Sequence, residues 1–214
     1  MKPIHFFHNP MSRGRIVHWM LEEVGVPYEV TLIDFDKKEH KSPKFLALNP
    51  MGKIPTIIHG DTVVTEAAAI CTYLADLFPE KNLAPNVTDP SRGTYIRWMF
   101  FGAGCIESAI TDRLYPRSAP NQPGSLGYGS YDDTVAALEK ALAPGPFILG
   151  NTFSAVDVYV GSQIMWGMMV KALEPKPVFK KYVELCMERP ALKRVFEQSA
   201  EMTKRLEDGR SLAL

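Results

Sequence analysis

The stretch Asn49-Pro50-Met51-Gly52-Lys53-Ile54-Pro55-Thr56-Ile57-Ile58, with Thr65-Glu66-Ala67-Ala68-Ala69-Ile70 directly behind it, carries the residues that can hold a ligand. Proline offers no N–H to a β-ladder and is tolerated only at an edge or at the first residue of a strand, so Pro55 opens the apolar run that follows it. A cis Ile54-Pro55 bond, which X-Pro bonds reach at modest cost, turns the N–H and C=O of Ile54 outward and leaves them unpaired. An extended peptide can then pair with them as an added strand. Behind Pro55 come a strand (Thr56 to His59), a Gly60-Asp61 turn and a second strand (Thr62 to Val64), with Thr65 as the N-cap of a helix. The N–H groups of Glu66 and Ala67 then face an anion, and the Glu66 carboxylate can hold an ammonium.

A backbone pair for a peptide, beside an anion site and a carboxylate, describes a pocket for a small peptide with a free amino-acid head. Glutathione is such a molecule. With these motifs the chain resembles the glutathione transferases, in which a proline after an Asn-Pro-x-Gly-Lys-x-Pro run and a Glu at a helix start belong to a thioredoxin-like first domain. Ser154-Ala155-Val156-Asp157 adds a third match, a capping box with Asp in place of Glu at the start of a buried helix. The resemblance covers essentially the whole chain and implies glutathione as co-substrate, attack of its thiolate on an apolar electrophile, and a homodimer.

That chemistry needs a donor at the sulfur, because the thiolate is the nucleophile. Ser12 stands after the first strand at a helix N-terminus, and serine-type members of the family use a residue in this region. Ser12 can instead serve only as a helix cap, and the two roles compete for one hydroxyl. Asn9 is the second candidate. No tyrosine or cysteine stands in this loop, which argues against the tyrosine and cysteine types of the family and against a disulfide- or peroxide-reducing enzyme of the same fold. By resemblance to theta-like members, His40 and Lys53 contact the glycine carboxylate of glutathione, Ile54 and Pro55 its main chain, and Glu66 and Ala67 its γ-glutamyl head. The family usually carries Ser where this chain has Ala67; losing that hydroxyl weakens binding by ~1 kcal/mol. A non-catalytic binding protein of the same fold is the other alternative. Met11, Phe101, Cys105, Trp166 and Met169 are candidates for the wall of the electrophile site, where the long helix faces the first domain, although stripes of this kind also build ordinary core.

The elements that must position these residues are legible from periodicity. Ile4 to Phe7 reads as a buried strand, and Ile16, Val17, Met20, Leu21 and Val24 fall at helical spacing up to Gly25. Tyr28 to Ile33 alternates as a strand, Pro43 to Leu48 is a short helix, and Thr65 to Phe78 is the last helix of an α/β domain, residues 1–80. Pro79 to Asp89 reads as a linker. No strand pattern follows, so residues 88–214 form an all-helical domain. Asp89-Pro90 opens a long helix to about Leu114, with Gly102 and Gly104 marking a bend or a close contact. Pro116 to Gly129 is a loop, and helices follow at about Tyr131 to Leu142, Ala155 to Leu173, Val178 to Met187 and Ala191 to Lys204.

The chain has 214 residues, 46% of them hydrophobic, and 24 basic against 24 acidic side chains, so no net field gathers nucleic acid or an anionic membrane. No run reaches membrane-spanning length and the first residues make no signal segment, which points to the cytoplasm. Cys71, Cys105 and Cys186 form no Cys-x-x-Cys pair, and His5, His8, His18 and His59 have no metal-ligand spacing.

Overall fold

The computed structural model describes residues 2–116 and 123–209. By contact these fall into two units: the chain up to Phe78 together with the segment from Arg189 onward, and Pro79–Glu188.

The first unit is built on a four-stranded sheet of order β2-β1-β3-β4, with β1 Ile4–His8, β2 Tyr28–Leu32, β3 Thr56–His59 and β4 Thr62–Thr65. β2 runs parallel to β1, while β3 is antiparallel to both β1 and β4. A parallel pair requires a crossover, and α1 (Gly14–Val24) supplies it, ending at Gly25 in the left-handed conformation. Ile16, Val17, Trp19, Met20, Leu21 and Val24 of α1 are buried. The short helix α2 (Pro43–Leu48) is capped by Ser42, whose hydroxyl accepts from the Phe45 N–H at 3.3 Å, and α3 (Ala67–Leu77) follows β4.

The sheet register decides where the loops gather. His8 pairs with Leu32, Phe7 with Thr56, and Thr56 with Thr65. The loops after β1 and β2, the loop before β3 and the step from β4 into α3 therefore all leave one end of the sheet. A last helix, α9 (Pro190–Glu207), packs on α1. Arg189 grips Glu23 through Nε and Nη2 at 2.5 and 2.6 Å, Arg194 Nε meets Glu22 at 2.6 Å, and His18 Nε2 lies 2.6 Å from Gln198 Oε1. The amphipathic pattern of this helix shows that it has a partner; it does not say which.

The second unit is helical. α4 (Ser91–Phe101) continues through a π-helical turn, Gly102–Ile106, into α5 (Glu107–Leu114), and α6 (Tyr131–Leu142), α7 (Ala155–Met169) and α8 (Pro177–Met187) follow. The helix starts one residue later than expected, at Ser91, with Pro90 instead of Asp89 in the cap position; Asp89 Oδ1 accepts from the Ser91 N–H at 2.8 Å. The expected contact at Gly102 is present: a β-carbon there would stand 2.7 Å from the Tyr159 ring, whereas none of the described residues lies within 4 Å of one at Gly104. α7 ends at Met169, short of the expected Leu173. Lys171 adopts a φ of 58°, and the Gly167 carbonyl takes the N–H groups of Ala172 and Leu173. The capping box at its start is present: Asp157 Oδ2 accepts from the Ser154 N–H at 2.9 Å. Of the loop expected over Pro116 to Gly129, residues 117–122 lie outside the described residues; Pro123–Ser125 forms a 3₁₀ turn.

Candidate functional site

Four segments meet at the loop end of the sheet in the first unit. The first is the approach to β3. Asn49, buried, holds it: its Nδ2 donates to the Lys53 carbonyl at 2.9 Å and to Thr56 Oγ1 at 3.2 Å, and its Oδ1 accepts from the Met51 N–H at 3.1 Å. Gly52 adopts a φ of 57°, and a β-carbon there would stand 2.6 Å from the His40 carbonyl oxygen. Only glycine meets both demands. Lys41 Nζ donates to the Met51 carbonyl at 2.8 Å, so the short 3₁₀ turn Glu39–Lys41 is fastened to this loop. The sequence flags Gly52 and Asn49 only as parts of a motif; Lys41 and Thr56 carry no signal of their own.

At the end of that loop the Ile54-Pro55 peptide is cis. The ladder begins at Thr56, and the N–H and C=O of Ile54 enter no hydrogen bond among the described residues. The Ile54 side chain is packed with Ile33, Phe45 and Phe7. Its main chain is thus held rigidly from one side and left unpaired.

Beside it lies the step from β4 into α3. Thr65, expected as the cap, instead completes the β-ladder opposite Thr56, and Glu66 takes the cap position. The chain turns this corner in a single residue, Glu66, at φ 65° and ψ 119°, a region non-glycine residues rarely adopt. Its carboxylate is exposed and caps nothing. The N–H groups of Ala67 and Ala68 at the helix start have no acceptor among the described residues, as expected of a first helical turn.

The third segment is the loop after β1. Asn9, buried, donates from Nδ2 to the Ile33 carbonyl and accepts the Met11 N–H at Oδ1, both at 2.8 Å. Its side chain shapes the loop. Ser12 is half-buried; its hydroxyl donates to the Asn9 carbonyl at 2.7 Å and accepts from the Gly14 N–H at 2.9 Å. The helix begins at Gly14, not directly after Ser12, because a tight turn at Arg13 intervenes. In the fourth segment, His40 stands edge-on to Phe35 at 5.0 Å with its Nδ1 buried and unpartnered among the described residues, while the Lys53 side chain is exposed.

The structure thus brings Asn9, Ser12, His40, Lys53, Ile54, Pro55, Glu66 and Ala67 to one end of one sheet. Met11, 79% exposed, belongs to the same unit. Phe101, Cys105, Trp166 and Met169 belong to the other. Phe101, Cys105 and Trp166 are half-buried, Met169 is exposed, and burial raises the Cys105 thiol pKa. No cluster of three or more His, Cys, Asp or Glu placed to hold a metal occurs among the described residues, and no helix of theirs is long and apolar enough to cross a membrane.

Two family models match the chain: the glutathione S-transferase N-terminal domain over residues 2–76 and the glutathione S-transferase C-terminal domain over residues 125–198. Glutathione S-transferase 1 of Schizosaccharomyces pombe is 38% identical over 161 residues, 72% of this chain and 69% of its own length. A glutathione transferase from Methylococcus capsulatus superposes with a TM-score of 0.77 at 26% identity, over 92% of this chain and 98% of its own. A glutathione transferase from Burkholderia graminis, crystallised with two glutathione molecules per subunit, gives 0.74 at 26% identity, over 91% and 87%. With its loops gathered beside an unpaired main-chain segment and a strained glutamate, the chain belongs to the glutathione S-transferase family.

Proposed function

We propose that this chain binds glutathione at the loop end of its sheet and transfers the thiolate to apolar electrophiles. The observation that carries the reading is the unpaired N–H and C=O of Ile54 beside the strained Glu66 and the start of α3. In this reading the cysteinyl main chain of glutathione pairs with Ile54 as one more strand residue. The Glu66 carboxylate takes the γ-glutamyl ammonium, and the N–H groups at the start of α3 take its carboxylate. His40 and Lys53 receive the glycine carboxylate. The relative from Burkholderia graminis, which holds glutathione, supports the choice of ligand.

Ser12 is assigned as the donor to the sulfur. Asn9 is the weaker candidate, because both ends of its side chain already hold the loop. To reach the sulfur, the Ser12 hydroxyl exchanges its bond to the Asn9 carbonyl for one to the thiolate and keeps the bond from the Gly14 N–H. The Ser12→Ala variant tests this. It should bind glutathione with near-unchanged affinity in calorimetry, while the bound thiol, followed by thiolate ultraviolet absorbance, titrates at higher pH and conjugation of a chloro-nitroarene slows at least tenfold. An unchanged thiol pKa overturns the assignment.

The electrophile would meet exposed apolar side chains such as Met11, whose flexible thioether accommodates varied shapes. Homodimerisation is assigned to α4, where Ile96 and Phe100 lie one turn apart and both are exposed. Phe100→Glu should give a monomer by light scattering. Cys71, Cys105 and Cys186 are all free thiols, in keeping with a reducing compartment such as the cytoplasm.

A further inference from the structure

His8, the last residue of β1, is fully buried, and neither of its ring nitrogens has a hydrogen-bond partner among the described residues. It lies on the same face of the sheet as Phe6, with which it stacks at 4.8 Å, and the His18 ring of α1 stands edge-on to it at 5.1 Å. Leaving an imidazole unpaired in a core is unfavourable, so the position asks for a reason.

Gly14 supplies it. A β-carbon on this first residue of α1 would stand 2.5 Å from His8 Nδ1 and 2.9 Å from Ser12 Oγ. The ring nitrogen and the hydroxyl therefore flank the same small space, which exists because residue 14 has no side chain. Burial, then the neighbouring His18 and Arg15, lower the His8 pKa, so at neutral pH its ring carries one N–H and one lone pair. His18 is no rival donor. Gln198 gives its amide N–H to Glu22 at 3.5 Å and turns its oxygen to His18, which commits the one N–H of that neutral ring.

We propose that His8 is a positioning residue for thiol activation: its Nδ1–H donates to Ser12 Oγ when that hydroxyl donates to the sulfur of bound glutathione. The thiol proton leaves to solvent and Ser12 keeps its own. The serine oxygen then accepts from both the Gly14 N–H and His8, and each bond in such a chain strengthens the next. The inference rests on Ser12 as the activating group.

His8→Phe keeps the ring's bulk and removes the donor, whereas His8→Asn places an amide N–H near the position of Nδ1. The expected result is that His8→Phe lowers the thiolate fraction of bound glutathione at pH 7 by roughly five- to tenfold, with KM for glutathione nearly unchanged. His8→Asn should restore most of the thiolate. A thiolate fraction that is the same in His8→Phe and wild type overturns the proposal, as does an Asn variant that behaves like the Phe variant. Imidazole nitrogen NMR of the wild-type protein gives a second readout that needs no variant. On titration with glutathione, the His8 Nδ1–H resonance should move downfield; a ring protonated only at Nε2 in both states overturns the proposal. If wild type binds no glutathione, or Ser12→Ala leaves the thiol pKa unchanged, the functional reading itself fails; if both of those hold and only the His8 results are flat, the failure is confined to His8.

Discussion

Thr56 and Thr65 are register partners in the β3–β4 ladder, which puts Pro55 and Glu66 next to each other just past its end. That pairing holds the unpaired Ile54 main chain and the backbone of Glu66 close together at one end of the ladder. It also forces Glu66 to turn the chain into α3 alone, at a positive φ. Strain of this kind costs about 1–3 kcal/mol and persists where a site over-determines it. Glu66→Gly should therefore be more stable than Glu66→Ala by ~1 kcal/mol in urea denaturation, since glycine adopts this conformation freely. Both variants should lose glutathione affinity at least fivefold in calorimetry. Retained affinity in Glu66→Ala would displace the ammonium site.

Asn49 is the residue on which the approach to β3 depends. Asn49→Ala leaves the Met51 N–H and the Lys53 carbonyl without this partner in a partly buried place. Unfolding in urea should show a loss of about 2–3 kcal/mol. Glutathione binding should weaken as well, because Ile54 follows directly on the released loop. Asn49→Asp, which keeps the acceptor and removes the donor, should still bond Met51 while repelling the Lys53 carbonyl, and so lie no higher in stability than Asn49→Ala.

Elements set by apolar periodicity and by Pro, Ser and Gly punctuation were legible in the residues: α2 over Pro43–Leu48 and α6 over Tyr131–Leu142 have the bounds that pattern predicts. The corner between β4 and α3 was not. Threonine before glutamate looks like a cap, and nothing in a sequence announces that a glutamate adopts a positive φ because a neighbouring ladder runs one residue further. The start of α1 slipped for a related reason, since a tight turn at Arg13 satisfies the Ser12 carbonyl before the helix proper begins. The docking of α9 on α1 is a long-range choice. Arg189 and Arg194 read as ordinary surface charges until Glu22 and Glu23 are placed opposite them.

Asp157 makes stability depend on pH. Burial pushes its carboxyl from an ordinary 3.8 up to about 6, against the pull of the Ile148 N–H, the Tyr182 hydroxyl and both groups of Ser154. The folded state thus holds this proton more tightly than the unfolded chain does. The contribution is complete below about pH 4 and is lost as pH rises through 6, a fall of ~3 kcal/mol at most. Asp157→Asn should flatten this part of the profile in denaturation measured at several pH values. Ser154→Ala should cost ~1 kcal/mol or more and spare glutathione affinity.

The two Arg–Glu pairs on α1 and α9 should differ in worth. Only 5% of the Glu23 side chain is exposed, and Glu23 also accepts from the Trp19 indole N–H at 2.8 Å. Arg189→Met strands a buried carboxylate and should cost about 3 kcal/mol. Arg194 is half-exposed, so Arg194→Met should cost ~1 kcal/mol or less and lose its effect in high salt. Burial raises the Glu22 pKa, but the hydrogen bonds from Arg194 and Tyr28 outweigh it and hold Glu22 below the usual carboxylate range. Its contribution is therefore lost as pH falls, opposite in sign to that of Asp157. Arg194→Met should reduce that acid-side loss, since Tyr28 still bonds Glu22, and leave the Asp157 profile in place.

Gly102 and Gly104 sit two residues apart in the same π-helical turn and should respond in opposite directions to one methyl group. At Gly102 a β-carbon would meet the ring of the buried Tyr159 at 2.7 Å, so the ring or the helix that carries it must shift. Gly102→Ala should cost about 1–3 kcal/mol in thermal or urea unfolding. At Gly104 the same carbon meets none of the described residues within 4 Å and only reduces the freedom of the unfolded chain, so Gly104→Ala should gain roughly 0.5–1 kcal/mol. Equal effects at the two positions would mean that Gly102 is not the close-approach point between α4 and α7, and that the π turn is held by something other than the missing side chain.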